Sequence, residues 1–302
     1  MSILTNKVGV SITENSIQLV EIISKDNKLF LENVDEEYFE DSIYEDTKEA
    51  KFIHILQNAF NEVILRSPLK SNKISLTLPP SYFKVFEIPA DKNLTKNDLN
   101  EYIKWELSKL FPDENTEKFI FRKVILDAPT FQSYKRVLVF IIHENILRRI
   151  HKFCVRNSLS LKFVDNTHIS TLTFINESST ILSIYVEAKK LSAILFVKNN
   201  IVYQTSKQYS TISKIPDLIN GIIEEMKHRE LLTNDIEKLY FDGISVTSEL
   251  KKNVGSSSNL TIKEFSPFEK LEFNQNIVEN SSDTENYSKF ASATSIALRI
   301  GL

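Results

Sequence analysis

Short apolar and β-branched runs separated by polar turns open the chain, a pattern typical of β-strands joined in a meander. A longer segment follows in which apolar residues recur every three or four positions, as on one face of a helix. The pattern predicts three strands, a helix and a fourth strand, at Lys7–Ile12, Ile17–Ile23, Leu29–Val34, Asp46–Leu65 and Ile74–Leu78. Pro79 and Pro80 end the fourth strand, because proline lacks the N–H that a strand ladder needs.

The same order of elements returns in the second half of the chain. The pattern there predicts three strands, a helix and a further strand, at Thr180–Val186, Leu191–Val197, Ile201–Ser206, Ile215–Leu232 and Lys238–Asp242. The halves share this layout and not their residues, so the pattern indicates a duplicated α/β fold.

A unit with another pattern separates the two halves. It predicts a strand, two further strands, a helix and a short strand, at Tyr82–Ile88, Phe119–Leu126, Lys135–Ile142, Asn145–Asn157 and Ser160–Val164. Between the first two of these strands, Thr95-Lys-Asn-Asp98 resembles a capping box, and the helix after it carries an apolar stripe. A final helix is predicted at Tyr287–Ile300.

Glycine is rare in this chain, which limits the phosphate sites that it can build. Five of 302 residues are glycine, where average usage of about 7% gives roughly twenty. They are Gly9, Gly221, Gly243, Gly255 and Gly301. Phosphate-binding loops use clustered glycines so that the backbone can approach the phosphates closely. The sequence therefore excludes the glycine-rich dinucleotide and P-loop motifs.

Charge and cysteine content limit the partners and the compartment. The net charge of −3 gives no electrostatic basis for binding nucleic acid, and a single cysteine fits a reducing compartment. The longest apolar run, Val137–Ile142, is far shorter than the ~20 residues that span a bilayer. The N-terminus shows no signal-peptide pattern. We therefore expect a cytoplasmic protein that meets a membrane only through a partner.

No catalytic or metal-binding motif stands out in the sequence. The five histidines are scattered, without HExxH or CxxC, so we expect no metal site. Cys154 lies between Phe153 and Val155, which favours a small buried residue over a nucleophile. Trp105 lies beside the apolar stripe of its helix, either as a partly buried flank residue or as an exposed anchor for a partner.

Four stretches of the chain share their order with a known family. They are the opening hairpin Val8–Glu21, the prolines of Leu78-Pro-Pro and Ile88-Pro89 with the helix Leu99–Pro112, the strand Val137–Glu144 with Val164-Asp165, and the helix Ala291–Arg299 that ends in Ser-Ile-Ala-Leu-Arg. In these stretches the chain resembles PilM, a family of type IV pilus assembly proteins. The resemblance implies an α/β fold class with duplicated actin-like (RNase H-like) domains and an inserted α/β subdomain in the first half.

The resemblance also implies a division of the chain into five segments. Residues 1–80 form the N-terminal part of the first actin-like domain, and residues 81–160 form the inserted subdomain. Residues 161–178 form a connecting helical region, residues 179–285 the second actin-like domain, and residues 286–302 a C-terminal helix that returns to the first domain.

In the PilM family the protein is a cytoplasmic platform that binds ATP and holds the short cytoplasmic tail of the inner-membrane protein PilN. The resemblance therefore implies a PilN-like partner and other components of an assembly machine. It also implies a cytoplasmic location, peripheral to the inner membrane through that partner.

The chain departs from the family where an actin-like protein holds ATP and Mg²⁺. On the best alignment, Ser11, Thr13 and Gln18 replace an Asp, a Gly and a Lys of the first hairpin. In the second hairpin, Tyr185 and Glu187 stand in place of Asp and Gly, and Gly243-Ile244 replaces a pair of glycines. A side chain at a phosphate turn keeps the ligand from close approach. We therefore expect a degenerate site with no cofactor, catalytic residue or metal. If the true alignment is shifted by a residue or two, binding of ATP and Mg²⁺ stays possible.

Three functions follow from the resemblance. The first is a scaffold that docks a PilN-like tail without hydrolysing ATP, and the second is an active ATPase or sugar-kinase-like enzyme. The third is a GspL-like component of type II secretion, less expected because that domain is normally fused to a transmembrane helix, which this chain lacks. For the first, we expect a groove between the first-half sheet and the inserted subdomain, lined by Phe83, Val85, Trp105 and Phe111.

Overall fold

The computed structural model describes residues 5–26, 28–126, 134–175, 179–198, 200–232, 235–243, 246–258, 260–273 and 284–299. Its strands are Thr5–Ile12 (β1), Ser16–Lys25 (β2), Lys28–Tyr38 (β3), Lys73–Leu78 (β4), Lys84–Asp91 (β5), Phe119–Leu126 (β6), Tyr134–His143 (β7), Ser160–Asn166 (β8), Thr180–Val186 (β9), Lys190–Val197 (β10), Asn200–Gln208 (β11), Lys238–Gly243 (β12), Ile262–Lys263 (β13) and Glu272–Phe273 (β14). Its α-helices are Glu49–Arg66 (α1), Lys96–Leu110 (α2), Glu144–Arg156 (α3), Thr167–Thr171 (α4), Ile215–His228 (α5), Ser248–Ser258 (α6) and Ala291–Arg299 (α7).

Two sheets of matching strand order form the two halves. The six-stranded sheet has the order β14-β3-β2-β1-β4-β8, and the five-stranded sheet has the order β11-β10-β9-β12-β13. In each sheet an antiparallel meander of three strands continues into two parallel strands. The helices α1 and α3 precede the parallel strands of the first sheet, as α5 and α6 precede those of the second. The predicted duplicated α/β fold is confirmed.

Helices α1 and α3 pack together on one face of the first sheet. Their apolar residues, spaced three or four apart, point to the alternate residues of β1 that face the same core. The rings of Phe60 and Phe153 meet edge to face at the centre, with centroids 5.4 Å apart. Cys154 is buried in this core, and burial raises the pKa of its thiol to about 12. The thiol is therefore protonated at neutral pH and unsuited to be a nucleophile.

The inserted subdomain is a three-stranded sheet of order β5-β7-β6 with α2 on one face. Helix α2 begins where the sequence indicated, since the Thr95 hydroxyl accepts a hydrogen bond from the Asp98 N–H. Its stripe of Leu99, Ile103 and Leu107 is buried against the sheet. On the opposite face of this sheet, Leu126, Leu138 and Phe140 pack with Ile169 of α4 and Ile201 of β11.

The inserted subdomain is smaller than the expected range of 81–160. Helix α3 packs in the core of the first domain, and β8 is a parallel edge strand of the six-stranded sheet. Residues 144–160 therefore belong to the first domain, and residues 161–166 continue that sheet rather than a connecting helical region. The apolar stripe of α3 shows that it packs on a core, and it does not show which core.

Helix α7 lies on the other face of the first sheet, above β1. Ala293 and Ala297 pack over Gly9, and the Ser292 hydroxyl donates to the Ser11 hydroxyl over 2.7 Å. The helix begins at Ala291 and not at the predicted Tyr287, because residues Thr284–Phe290 form 3₁₀ turns. The predicted end at Ile300 lies outside the described residues.

None of the helices in the described part of the chain is both long and apolar enough to cross a membrane.

Candidate functional site

The turn between β1 and β2 lies near the turn between β9 and β10, since Glu14 of the first turn interacts electrostatically with Glu187 and Lys189 of the second. The place where these equivalent hairpins of the two halves meet is called the cleft. Glu14 lies in the first turn and Glu187 follows β9, and both side chains are buried. Burial is the main cause that raises the pKa of each carboxyl group, and Glu14 adds to the rise at Glu187. The cleft between the halves therefore carries two acidic groups of the chain itself.

The first hairpin is held by its own hydroxyl groups. The Thr13 hydroxyl accepts from the Ser16 N–H at 2.8 Å, and the Thr13 N–H donates to the Ser16 carbonyl at 2.9 Å. These bonds close the turn without glycine. Threonine at this position directs its hydroxyl group into the turn and not into the cleft.

Ser11 and Gln18 lie opposite each other in the register of β1 and β2. The amide of Gln18 donates to a carboxylate oxygen of Glu36 over 2.8 Å, and Lys289 pairs with the other oxygen of that carboxylate. Ser11 is bound by Ser292 of α7. The two residues are therefore engaged by β3 and by the segment around α7, which sequence reasoning did not include in this site.

The second hairpin is closed by Glu187. Its backbone N–H donates to the Lys190 carbonyl at 2.8 Å, which forms the tight turn. Its side chain reaches the first half, where one carboxylate oxygen accepts the Ser81 N–H at 3.0 Å. The other carboxylate oxygen, Oε2, is buried with no hydrogen-bond partner among the described residues. This carboxylate therefore ties the two halves together at the position where the resemblance implied a glycine.

Tyr185 points away from the core of the second half and into the space beneath the hairpins. It is buried and stacks on His168 of α4, with ring centroids 5.9 Å apart. The two ring nitrogens of His168 each lie 3.0 Å from a hydroxyl oxygen, that of Ser192 and that of Ser183. Burial lowers the pKa of His168 to about 3, so the ring is neutral at physiological pH. Nothing in the sequence singled out His168.

Gly243 ends β12 beside Val186, in a conformation that favours glycine. Its φ is +132°, and a Cβ built there meets the backbone of Val186. Its N–H donates to Oδ1 of Asp242, and desolvation raises the pKa of that carboxyl group to about 6. Ile244, named with Gly243 in the sequence, lies outside the described residues. The glycine is thus explained by strand packing.

Two carboxylates and a buried tyrosine lie at this cleft, with Lys189 close to Glu14 and Lys190 close to Glu187. Glu14 and Glu187 repel an anion, and the buried Tyr185 fills the space beneath them. The described residues contain no group of three or more His, Cys, Asp or Glu side chains placed to hold a metal ion.

A separate groove lies between the first sheet and the face of the inserted sheet opposite α2. Its cavity is about 670 Å³, of the size of a ligand pocket. Its walls come from β6, β7, α3 and β8, and the apolar side chains lining it are Phe83, Ile120, Phe121, Val124, Phe140, Ile142, Leu147, Leu161, Phe163, Val164 and Ile169. Ile120 is 47% exposed and Phe163 is 48% exposed, so the groove presents apolar surface to solvent.

Two strand edges border this groove. Strand β6 ends the three-stranded sheet and β8 ends the six-stranded sheet, so neither is hydrogen-bonded to a further strand in the described part of the chain. Ile201 of β11 packs near β6, beside Leu126. Arg122 of β6, Asp165 of β8 and Arg299 of α7 form a charged cluster at one end of the groove.

The structure separates the four groove residues that the sequence suggested. Phe83 lines the groove, and Val85 packs beside it against the core. Trp105 and Phe111 belong to α2 and its end, on the opposite face of the inserted sheet. Trp105 is 54% exposed, so it is an exposed side chain and not a partly buried flank residue.

Sequence reasoning missed most of the groove. Asp165 and Arg299 lie within the stretches that carry the family resemblance, and this could have singled them out as candidate residues. Ile120, Arg122 and Phe163 carried none, because alternation along a strand identifies a face and not what the face meets.

No protein-family model matches the chain, and no curated protein matches it in sequence. Solved structures match it closely in fold. A chain of the PilM-PilN type IV pilus biogenesis complex is 15% identical, with a TM-score of 0.72 over 97% of this chain and 98% of that one. The cytoplasmic domain of EpsL, an inner-membrane component of the type II secretion system of Vibrio cholerae, is 9% identical, with a TM-score of 0.54 over 98% and 95%.

A third solved structure is also similar to this chain in fold. It is a Bacteroides thetaiotaomicron protein with an actin-like ATPase fold and unknown function, 13% identical, with a TM-score of 0.50 over 85% of this chain and 90% of that one. The fold that the resemblance to PilM implied is confirmed: this chain has the actin-like fold, and its likeness to the PilM-PilN structure extends over nearly its whole length.

Proposed function

We propose that this chain is a scaffold of a pilus or related secretion machine, which docks the cytoplasmic tail of a PilN-like inner-membrane partner without hydrolysing ATP. Through that tail it lies at the cytoplasmic face of the inner membrane. The observation that carries the proposal is the open apolar groove between β6 and β8, in a chain with the fold of the PilM-PilN structure.

The groove has the chemistry of a peptide site. An extended segment can bind main chain to main chain at a strand edge, while its side chains enter apolar pockets. Both features are present, since β6 and β8 are the terminal strands of their sheets and the exposed side chains of Ile120 and Phe163 line the groove. Large exposed apolar side chains grouped in a concave surface are typical of interaction sites.

The cleft between the hairpins supports a function without ATP hydrolysis. An actin-like site holds phosphates by backbone N–H groups at the two turns, and it holds Mg²⁺ through acidic side chains. Here the Glu187 carboxylate occupies the second turn and already accepts the Ser81 N–H, and Glu14 faces it. Ser11 offers a hydroxyl group that Ser292 engages. These residues do not fit a nucleotide with its metal.

The docking proposal predicts micromolar binding of a PilN-like tail. Calorimetric titration with the cytoplasmic tail of the PilN-like protein from the same organism is expected to give a Kd of about 10 µM or below. Ile120→Ser and Phe163→Ser each remove an exposed apolar side chain from the groove. Each is expected to weaken binding about tenfold or more, as for residues central to an interface.

Trp105→Ser is the matched control, because it removes an equally exposed side chain from the other face of the inserted sheet. It is expected to leave the Kd unchanged. Absence of binding at about 100 µM tail, a weak affinity, contradicts the proposal. Weakening by Trp105→Ser alone places the docking surface on α2 instead.

The cleft chemistry predicts that Mg-ATP does not stabilise the protein. A ligand present at 100 times its Kd stabilises the folded state by about 2.7 kcal/mol, which raises Tm by several degrees. In a thermal unfolding experiment with millimolar Mg-ATP we expect a change in Tm below about 1 °C. A rise of several degrees contradicts the nucleotide-independent part of the proposal. The docking part is measured separately.

A further inference from the structure

Two arginines share one carboxylate at the end of the groove. Nη1 of Arg122 lies 3.1 Å from Oδ2 of Asp165, and Nη1 of Arg299 donates to the same oxygen. Oδ1 of Asp165 accepts the Asn166 N–H at 2.9 Å. One carboxylate thus faces two guanidinium groups, and one positive charge is left over within this cluster.

The surplus positive charge is partly removed from solvent. Asp165 is buried, whereas the Arg122 side chain is 51% exposed and that of Arg299 is 30% exposed. Burial lowers the pKa of both guanidinium groups, and Arg122 lowers that of Arg299 further. The two cations therefore destabilise each other, and an added anion relieves this.

The charged residues that line the groove sum to a positive charge. Among the described residues that line it, Arg122, Lys162 and Arg299 are cationic and Asp165 alone is a carboxylate. The chain as a whole has a net charge of −3. The groove is thus a local positive surface on an acidic protein, which favours an acidic occupant.

The arginine pair also marks the boundary of a second cavity. That cavity is about 480 Å³ and shares Arg122, Ile169 and Arg299 with the groove. Phe174, Phe196 and Phe265 form apolar walls of this cavity, and Glu264, Glu269 and Lys270 also line it. A segment lying along the groove therefore passes the two guanidinium groups with apolar surface on both sides.

We propose that the segment that docks in the groove carries a side-chain carboxylate flanked by apolar residues, and that Arg122 and Arg299 bind this carboxylate. The inference rests on the proposed docking function and adds the chemistry of the docked segment. Arginine pairs with carboxylates through two parallel hydrogen bonds, so the geometry selects a carboxylate over an amide. The apolar walls on both sides select a peptide over a free anion.

The test is a selection from a phage library of random octapeptides on the full-length protein. Wild type is expected to select peptides in which Asp or Glu stands between apolar residues. Competition against Ile120→Ser and Phe163→Ser identifies the peptides that bind the groove. One selected peptide is then synthesised in two forms, one with its Asp or Glu and one with the matching Asn or Gln at that position.

The affinities of the two peptides are measured for wild type, Arg122→Gln and Arg299→Gln. Each variant and the amide peptide together form a double-mutant cycle. Each single variant leaves the other arginine paired with Asp165, so we expect the fold to be kept. With wild type, the amide peptide is expected to bind about tenfold more weakly than the acid peptide, which is about 1.4 kcal/mol. With either variant this difference is expected to shrink to about twofold or less, since Asp165 neutralises the remaining arginine and no surplus positive charge is left for the acid.

Arg148→Gln is the control, because it removes an exposed arginine of α3 that pairs with Glu144 four residues away. It is expected to keep the full difference between the two peptides. Groove-binding peptides without any preference for an acid overturn this inference and leave the docking function standing. A selection that yields no peptide sensitive to Ile120→Ser or Phe163→Ser overturns both.

Discussion

Replacing Gly9 by alanine is expected to destabilise the protein by about 3 kcal/mol or more, although the change adds a single methyl group. A Cβ at this position lies well inside contact distance of the Ala293 carbonyl oxygen and 2.8 Å from the Ala297 backbone nitrogen. Both atoms belong to the backbone of α7, so no side chain can turn away to make room. The helix must move off β1, and the buried residues between them lose their contacts.

Gly221→Ala is the matched control for this experiment. Gly221 lies on the exposed side of α5, and no atom approaches its built Cβ within 4 Å. Alanine is favoured over glycine inside a helix by about 1 kcal/mol, so this variant is expected to be more stable than wild type. Chemical denaturation of the three proteins measures both effects. Equal stability of Gly9→Ala and wild type contradicts the close packing of α7 on β1.

The second large effect is a loss of stability in acid that comes from His168. Burial holds its pKa at about 3 in the folded protein, against 6.5 for a free side chain. Between these values the unfolded chain binds a proton that the folded chain does not, so stability falls as the pH falls. From pH 7 to pH 5 this side chain alone is expected to lower the free energy of unfolding by about 2 kcal/mol.

His168→Gln separates this effect from those of the other titrating groups. The amide cannot take up the proton, and it keeps polar atoms near the hydroxyl groups of Ser183 and Ser192. Glu14 and Glu187 act in the opposite direction, because a raised carboxyl pKa makes the folded protein less stable as the pH rises. Their contribution is common to both proteins and cancels in the comparison.

Urea denaturation at pH 7 and pH 5 is the measurement. The difference in stability between wild type and His168→Gln is expected to shift by about 2 kcal/mol in favour of the variant at the lower pH. The same pH dependence in both proteins contradicts the burial of a neutral histidine beneath the hairpins.

Periodicity along the chain predicted the two meanders and the helices and strands that follow them, because alternation and helical spacing are local properties. The boundaries of the inserted subdomain were not predictable in the same way. The stripe on α3 is as consistent with the inserted sheet as with the first sheet, and only the tertiary fold places it beside Phe60.

The candidate site was predictable only in part. The departures at Ser11, Thr13, Gln18, Tyr185 and Glu187 were visible in the sequence, and they cluster around the cleft between the hairpins. The bond from Ser81 to Glu187 joins residues 106 positions apart, and no local pattern reports it. Trp105 was set among the groove residues because of its type, whereas the stripe on its own helix already pointed the other way.

The bond between Ser11 and Ser292 joins residues 281 positions apart, and it sets an order in time. At 5–20 residues per second, synthesis of that intervening chain takes on the order of tens of seconds. Throughout that interval α7 has not been synthesised and cannot cover the face of β1 that carries Gly9. The first strand is therefore the earliest to be made and among the latest to be enclosed, which makes the nascent first half a substrate for chaperones and proteases until residue 299 emerges.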